Sequence, residues 1–563
     1  MASLSVFNND CCWPRRLLHL ETLTSYSWEP GNQYGGHTEP EYFAISYTWG
    51  RWELSNGEHP EIGNLDFNTP WKIPRIDPSR FTQKQFIDVI QKLPKLCDKP
   101  IHFLWVDIAC IDQREYSREK AMEIGRQGVI FRGAYRVFAW LHKYDKSELQ
   151  LMSEKLASDW RCVWNPIWKN NRSTEDVAGL VGNIISTLDK YTADPWFTSV
   201  WTLQEAYLRS DALLLDRNGD QWIAKRNSVS PVFDETEIVI SLDDLFESFD
   251  MVYRALNELP IFYHIPGLQG LRDRIEETGC IGLKTGIPTM LLSASRNRKV
   301  GPKNANDRVY GIMQIFNLKL GVSAPGSPPS AVYDLETLED QLGAKLMENS
   351  PVMSQLFTHS KPAPAGKGWR MGYHSKIPHL ATMAKSFLQV SSFETTTTFS
   401  VTEAGGIMVG QFSGPTCPIH RLARPWKEHE VLGGDSVGIE LDNVSGVDPP
   451  PDLLKFIHLK RDLNLVDWFT KEGLNVVILL LGSCITIPRN QSEQLPKRVV
   501  NAVGLLLLHS EEASYLMNWR RLGICWWNFI SDDYMERVGE GASSVATLAG
   551  KGDDWVYKRG TFG

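Results

Sequence analysis

The chain has 563 residues, of which 42% are hydrophobic and 22% are charged. These are the proportions of a globular protein, and the length exceeds the roughly 250 to 300 residues over which one hydrophobic core usually grows, so a disordered chain is excluded and two or more domains are expected. The net charge of -8 and the lack of a long run of Lys or Arg argue against nucleic acid as a partner.

The cysteines and the apolar segments indicate the compartment. The nine cysteines are scattered and contain no Cys-x-x-Cys pair, which is typical of reduced thiols and offers no zinc site. Polar residues interrupt segment 1–10, which therefore lacks the features of a secretion signal. The longest apolar runs, 476–481 and 502–508, are far shorter than the ~20 residues that cross a bilayer. We expect a cytoplasmic protein with no membrane span and no bound metal.

Strands and helices alternate in the first part of the chain. Residues 42–47 form a strand-like apolar run that is followed by a glycine suited to a tight turn. Thr82 and Gln85 have the spacing of a capping box, and the apolar stripe after them predicts a helix that Pro94 ends. Further strands are predicted at 103–108, 137–141 and 212–215, and further helices at 119–135, 177–188 and 201–208.

This alternation predicts both a fold and the edge at which a ligand binds. Crossovers that contain helices join parallel strands, so we expect an α/β fold with a parallel sheet covered by helices on both faces. Ligands bind such sheets beyond the carboxyl ends of the strands. The side chains expected at that edge are Ser46, Tyr47, Trp49, Gly50, Asp107, Cys110, Asp112 and Gln113.

The alternation stops after about residue 216. The segment that follows contains two predicted helices, at 242–256 and 335–346. Its Pro- and Gly-rich stretches, 324–330 and 362–368, are typical of loops or linkers. We therefore expect an α/β domain over 1–215, followed by a helical extension with linkers over 216–370.

The last part of the chain is typical of β-structure. The Gly405-Gly406 pair lies between two strand-like segments, 395–402 and 407–412, and predicts a hairpin. Further strands are predicted at 476–481, 502–508 and 522–527. We expect a mixed α+β, β-rich domain over 371–563.

A single carboxylate lies among aromatic and apolar residues in segment 196–208. Trp201, Glu205 and Leu208 share one helical face, so Glu205 is expected on or beside the inward side. A carboxylate there is costly unless it is paired or used. Two interpretations follow: Glu205 pairs with a cation or caps a neighbouring loop, or it binds a ligand or takes part in catalysis.

Four segments, in this order, resemble the fungal heterokaryon-incompatibility (HET) domain family. They are residues 43–50 with their lead-in 14–18, residues 104–113 continuing to 141, residues 196–205, and residues 307–311. One departure is that Thr198 and Ser199 stand where the family often has an arginine, so no role is carried over from that arginine. The resemblance implies a role in non-self recognition and programmed cell death, with protein partners and self-association through the HET domain.

HET domains are in turn similar to TIR signalling domains. Residues 45–47 resemble the strand that opens TIR domains, and residues 199–205 resemble the TIR pattern Ser-x-Trp-Cys-x-x-Glu with Thr202 in place of Cys. In enzymatic TIR domains the last position holds the catalytic glutamate of NAD cleavage, which corresponds to Glu205. The resemblance implies a TIR/flavodoxin-like sheet, and NAD as a substrate with no resident cofactor.

The surrounding residues could hold such a ligand. Tyr47 or Trp49 could stack on a flat ring, and Arg51 could meet a phosphate. The residues predicted to contact the ligand are Ser46, Tyr47, Trp49, Gly50, Arg51, Asp107 and Trp201. The alternatives are structural: Asp107 caps the turn after its strand, the tryptophans belong to the core, and Cys110 is a buried thiol.

Other functions remain open at this point. A non-enzymatic interaction module would use Tyr47, Trp49 and the helix at 201–208 as a contact surface for assembly in death signalling. A decayed paralogue would have no signalling role. Since no Gly-x-Gly-x-x-Gly or P-loop sequence opens a helix after a strand, a Rossmann dehydrogenase and an NTPase are disfavoured.

Overall fold

The chain divides into two compact units. One comprises Met1–Lys284 and Ala294–Leu338, and the other comprises Thr285–Ser293 and Glu339–Gly563. The computed structural model describes residues 13–55, 57–114, 117–164, 174–225, 236–257, 267–301, 304–328, 331–378, 394–404, 407–422, 437–444, 446–450, 459–486, 498–509, 518–531 and 555–563. Across these ranges, every helix is too short or too polar to span a bilayer.

A six-stranded sheet forms the centre of the first unit, in the order β2-β1-β6-β5-β7-β8. The strands of this unit are β1 (Arg16–His19), β2 (Thr24–Ser27), β3 (Gln33–Tyr34), β4 (His37–Thr38), β5 (Tyr42–Ser46), β6 (Phe103–Trp105), β7 (Arg136–Trp140), β8 (Leu213–Leu215), β9 (Ile223–Lys225) and β10 (Glu237–Val239). Neighbours in the series β6-β5-β7-β8 are parallel, which confirms the predicted parallel α/β sheet. An edge of two antiparallel strands, β1 and β2, was not predicted.

Helices connect and flank these strands. The α-helices before residue 350 are α1 (Gln83–Lys92), α2 (Asp107–Cys110), α3 (Arg118–Ile124), α4 (Gln127–Gly133), α5 (Lys146–Trp164), α6 (Thr174–Thr192), α7 (Val200–Leu208), α8 (Leu242–Asn257), α9 (Leu268–Glu277), α10 (Cys280–Thr285), α11 (Pro288–Asn297), α12 (Asp307–Tyr310) and α13 (Leu335–Asn349). The described 3-10 helices are Gly50–Trp52, Leu93–Leu96, Pro195–Thr198, Met313–Phe316, Gly321–Ser323 and Met353–Gln355.

Helix α1 forms as its sequence predicts. The amide of Gln85 donates to the Thr82 hydroxyl at 3.1 Å, and the Thr82 amide donates to the Gln85 side chain at 2.9 Å, which completes the capping box. The apolar stripe of the helix is buried, including Phe86 and Ile90. The predicted end at Pro94 is confirmed, because α1 ends at Lys92 with Leu93 as its C-cap. The chain then continues as the separate 3-10 helix Leu93–Leu96, whose first turn tolerates a proline because that position needs no amide donor.

Two predicted elements are shorter than expected. The strand at 103–108 ends at Trp105, and Asp107 instead begins helix α2. The helix at 119–135 is two helices, α3 and α4, separated at Gly125 and Arg126. Glycine is a poor helix former. Gly125 also lies close to Ser323, and a Cβ atom added at Gly125 would be 3.0 Å from the Cβ atom of Ser323.

The second unit is built on a larger, mostly antiparallel sheet, with β15 pairing both β17 and β20 so that the strand path returns on itself. Its strands are β11 (Thr358–His359), β12 (Ser375–Lys376), β13 (Glu394–Thr395), β14 (Thr398–Ala404), β15 (Ile407–Pro418), β16 (Val437–Leu441), β17 (Val476–Thr486), β18 (Arg498–His509), β19 (Trp519–Ser531) and β20 (Val556–Phe562). The hairpin is confirmed as β14 and β15, with Ala404 opposite Ile407. The Gly405-Gly406 turn lies outside the described residues.

One unpredicted helix covers the core of this sheet. Helix α14 (Leu459–Lys471) buries Leu465, Val466 and Phe469 among apolar side chains of the long strands. The strands predicted at 476–481, 502–508 and 522–527 are confirmed and extend further at their ends.

A buried ion pair lies in the second unit. Arg521 Nε is 3.0 Å from Asp442 Oδ2, and both side chains are almost completely excluded from solvent. Arg521 also donates to Gln355 Oε1 at 3.0 Å, and Asp442 accepts the His359 amide at 2.7 Å. Removing one partner of such a pair leaves the other as an uncompensated buried charge.

Loss of the helix cap should be measurable. Thr82→Ala is expected to lower the free energy of unfolding by about 1 kcal/mol, because the Gln85 amide loses its side-chain acceptor. Thr82→Ser keeps a hydroxyl and should change it by less than about 0.5 kcal/mol. Chemical denaturation followed by tryptophan fluorescence gives both values, and an equal loss in the two variants would contradict the capping role.

Loss of the buried acid should be more severe. Asp442→Ala is expected to lower the free energy of unfolding by about 3 to 5 kcal/mol, since Arg521 keeps its charge without a counterion. Glu348→Ala is the control, because Glu348 pairs with Lys345 at an exposed site and should contribute less than about 1 kcal/mol. Similar losses in the two variants, measured by chemical denaturation, would show that the buried pair has no special weight.

Candidate functional site

Ser46 is the last residue of strand β5 and lies at its carboxyl end. Every residue of β5 is buried, as expected for a central strand covered on both faces. The Ser46 hydroxyl accepts a hydrogen bond from the Trp196 indole at 2.8 Å and donates to Glu205 Oε2 at 2.5 Å. The hydroxyl of Ser46 therefore links two residues of segment 196–205 to the central strand.

Trp196 is positioned by a local cap. Asp194 is fully buried, and its carboxylate accepts the amides of Trp196 at 2.9 Å and Lys143 at 3.0 Å. These bonds begin the 3-10 helix Pro195–Thr198 and turn the indole towards Ser46. Burial raises the pKa of Asp194 to about 6, although the two amides act in the opposite direction.

Glu205 lies in helix α7, and the predicted inward position is confirmed. Its side chain is only 9% exposed. Burial raises its pKa well above the ordinary glutamate value; the Ser46 hydrogen bond counteracts this shift and the nearby Asp107 charge adds to it. Among the described residues, no Lys, Arg or His forms an ion pair with Glu205. The observed partner of this carboxyl is a hydroxyl, and the interpretation as an ion-paired helix residue does not describe its contacts.

Asp107 lies near Glu205 and has two hydrogen-bond partners. Oδ1 accepts the amide of Ile108 at 2.7 Å, as the structural alternative predicted for a cap at the strand end. Oδ2 accepts the Trp49 indole at 2.7 Å. Burial raises the pKa of Asp107, and the bond from Trp49 counteracts that rise. Two carboxyl groups thus lie at the carboxyl ends of neighbouring strands.

Tyr47 joins this group at the end of β5. Its ring packs 5.4 Å from Phe86 and 6.2 Å from Trp140, and it is 6% exposed. Burial, followed by the charges of Asp107 and Glu205, raises the pKa of its phenol well above the usual value. The Tyr47 hydroxyl therefore lies within reach of the charges of Asp107 and Glu205, whereas its ring belongs to the aromatic core.

Gly50 and Arg51 follow in the 3-10 helix Gly50–Trp52. Gly50 is exposed, and a side chain there would meet no atom within 4 Å, so its position does not require glycine. Arg51 donates to the Pro195 carbonyl at 2.7 Å and to the Thr198 hydroxyl at 3.1 Å. Arg51 therefore connects the segment after β5 to the 3-10 helix Pro195–Thr198.

Trp201 lies apart from the Ser46 contact. Its indole donates to Asp307 at 3.1 Å, and this carboxylate begins helix α12. The next residue, Arg308, donates to the Arg296 carbonyl at 3.2 Å. Trp201 is thus a neighbour of Glu205 in sequence that binds a different group.

Cys110 fits its structural interpretation. The thiol is buried in α2, and burial raises its pKa to about 12, so the reactive thiolate is suppressed near neutral pH. Groups of three or more His, Cys, Asp or Glu side chains suited to a metal ion do not occur in the described part of the chain.

Sequence reasoning missed two residues that build the site. Trp196 stood in the third motif, but nothing in the sequence indicated that its indole would reach Ser46. Arg298 is 2% exposed and donates to the Ser199 carbonyl at 2.9 Å and the Thr202 hydroxyl at 3.2 Å, at the start of α7. Burial and the charge of Arg51 lower its pKa to about 9. Its separation from the motif hid this contact.

Comparison with known proteins gives one family. Residues 42–205 match the family model described as Heterokaryon incompatibility protein (HET), from the first residue of β5 to Glu205. No curated protein and no solved structure matches the chain. The predicted HET family is confirmed, whereas the TIR likeness stays a prediction. Residues 42–205 are therefore a HET domain, the domain of heterokaryon incompatibility proteins.

Proposed function

We propose that this is a HET-domain protein of fungal non-self recognition, which triggers programmed cell death by hydrolysing NAD with Glu205 as the catalytic residue. The observation that carries the proposal is the burial of Glu205 against Ser46 at the carboxyl end of the central strand, without a cation partner in the described residues. A carboxyl held in this way is costly for stability, and that cost is typical of a functional group.

The chemistry of NAD cleavage suits such a group. The bond between ribose C1′ and the pyridinium nitrogen breaks, and its electron pair leaves with neutral nicotinamide while positive charge develops on the ribose. Water then adds to C1′ and releases a proton, which gives ADP-ribose and nicotinamide. An ionised carboxylate in a dehydrated site stabilises the cationic transition state, as in glycosidases.

The raised pKa of Glu205 fits this role in a substrate-dependent way. In the empty site burial favours the neutral carboxyl. A pyridinium cation beside the carboxyl favours the ionised form, because an opposite charge lowers a carboxyl pKa. The substrate would thus generate the charged group that its own cleavage requires, with Asp107 adding negative potential nearby.

The sheet order supports a TIR/flavodoxin-like fold. In chain order β5, β6, β7 and β8 are the first to fourth parallel strands, and their spatial order is second, first, third, fourth. Flavodoxin-like sheets share this order and bind ligands where the first and third strands meet. Ser46 lies opposite Ala139 of β7 at that junction.

The interaction module is the alternative to this enzyme. It would need Tyr47, Trp49 and α7 as an exposed contact surface. Tyr47 is 6% exposed and Trp49 is 9% exposed, and most of α7 is buried, so these side chains offer little area to a partner. We therefore favour the enzyme, acting in the cytoplasm, with protein partners and self-association through the HET domain as the trigger.

NAD cleavage should depend on Glu205. The full-length protein, concentrated or cross-linked, is expected to release nicotinamide from NAD, and Glu205→Gln should reduce the rate at least about 100-fold because the transition-state charge loses its counterion. Glu175→Gln, at an exposed position of α6, is the matched control and should retain the rate. Death signalling that survives Glu205→Gln, with no turnover in any assembly state, would support the interaction module instead.

The same substitution should stabilise the fold at high pH. Because the native pKa of Glu205 is raised, the stability it permits is complete below the ordinary glutamate pKa and is lost as pH rises through the native pKa. Glu205→Gln removes this loss, so its stability relative to wild type should grow by up to about 1.4 kcal/mol per pH unit within that window. Chemical denaturation near pH 5 and pH 8 measures the difference, and equal values at both would show that Glu205 is not held neutral.

A further inference from the structure

A group of basic residues that form no ion pair within the described part of the chain lies at the edge of the sheet where Ser46 ends β5. Trp52 ends the 3-10 helix that follows β5, and His142 and Lys143 are the second and third residues after β7. The Arg51 and Arg80 guanidinium carbons lie 4.9 Å and 5.0 Å from the Trp52 ring centroid. We call these five residues, Arg51, Trp52, Arg80, His142 and Lys143, the cation cluster.

Among the described residues, the contacts of the Arg80 side chain show no structural role for its charge. It is exposed, and within the described residues its guanidinium has neither a hydrogen bond nor an ion pair but lies over the Trp52 ring. An arginine held over an aromatic face keeps all of its N–H donors available for an anion. The Trp52 ring thus positions the guanidinium of Arg80 while leaving its N–H groups free to bind an anion.

His142 is the buried member of the cluster. It is 5% exposed, its ring stands edge-on to Trp52 at 5.5 Å, and its buried Nδ1 has no hydrogen-bond partner among the described residues. The neighbouring charges that act on it all come from cations: Arg80, Arg51, Arg217 and Lys143. Burial and these charges lower its pKa to about 4, so the empty cluster keeps this imidazole neutral.

The nearby carboxylates are already engaged. Asp194 accepts two backbone amides, and Asp77 accepts the amide of Ser79 at 2.9 Å. Glu148 lies 3.7 Å from Arg217, which leaves that arginine paired and outside the cluster. Asp194 attracts Arg51 and Lys143 electrostatically, and Asp77 attracts Arg80, but among the described residues none of these three cations forms an ion pair with an acid.

We propose that the cation cluster binds the phosphate groups of a phosphate-bearing ligand, with Arg80 as the principal donor and Trp52 as its platform. This inference rests on the proposed function in taking the ligand to be a dinucleotide, whose diphosphate would occupy the cluster while its ribose reaches Glu205. Arg51 connects the two places, since it also holds the Pro195–Thr198 segment that carries Trp196. An anion would in addition favour protonation of His142 and supply one more donor.

Binding of plain anions tests the cluster without any turnover. Titration of the full-length protein with pyrophosphate, and separately with ADP-ribose and inorganic phosphate, is expected to show saturable binding by calorimetry. Arg80→Ala should weaken pyrophosphate binding about tenfold, and Arg80→Lys, which keeps the charge but not the planar fork, should weaken it less. Tighter binding of ADP-ribose than pyrophosphate identifies a nucleotide source, and the reverse identifies a free phosphate compound.

The control is Arg132→Ala, because Arg132 is an exposed arginine just before β7, at the opposite edge of the sheet. No saturable pyrophosphate or ADP-ribose binding by wild type, an unchanged affinity in Arg80→Ala, or an equal loss in Arg132→Ala would each overturn the inference. The two proposals fail separately: Arg80-dependent binding with no NAD turnover contradicts only the proposed function. Turnover that Glu205→Gln abolishes and Arg80→Ala leaves unchanged in KM contradicts only the cation cluster.

Discussion

The Ser46 hydroxyl is the contact on which the candidate site depends. It receives the Trp196 indole and donates to Glu205, so one side chain at the end of β5 fixes both an aromatic ring and an acid from a segment 150 residues away. Because β5 lies in the middle of the parallel sheet, this anchor moves little relative to the neighbouring strand ends. The position of Glu205 is therefore set by the sheet, although the residue belongs to a helix.

The ionisable groups around that contact are buried in a way that lowers the stability of the fold. Glu205 and Asp107 are two acids close enough to raise the pKa of Glu205, and the hydrogen bonds they accept offset only part of the cost of burial. Arg298 is a buried cation at the start of the same helix, yet its hydrogen bonds go to carbonyls and a hydroxyl. A chain optimised only for folding would pair these charges, so their separation is understandable if a ligand supplies the missing charge.

Periodicity predicted the parallel strands, the capped helix α1 and the inward side of Glu205, because these depend on patterns within one short segment. It failed where distant residues decide the outcome. Strand β1 gains its place by pairing with β6, and helix α5 buries Leu149, Met152 and Leu156 within a largely polar sequence. At the site, the spacing of residues 199–205 indicated Glu205, but the approach of Trp196 to Ser46 and of Arg298 to Ser199 spans about 100 residues or more and leaves no local pattern.

Acidic and basic side chains lie at neighbouring places along one edge of the sheet. Glu205 and Asp107 lie at the end of β5 and the start of α2. Arg51, Arg80 and Lys143 lie around Trp52 and after β7. Arg51 bridges the two through the Pro195–Thr198 segment. A dinucleotide with a cationic ring at one end and a diphosphate at its centre carries the complementary arrangement, and this is the ligand and the direction of binding that we propose. A cationic ring would then favour the ionised form of Glu205, whose carboxyl burial keeps neutral in the empty protein, and a diphosphate would offset the mutual repulsion of the cations.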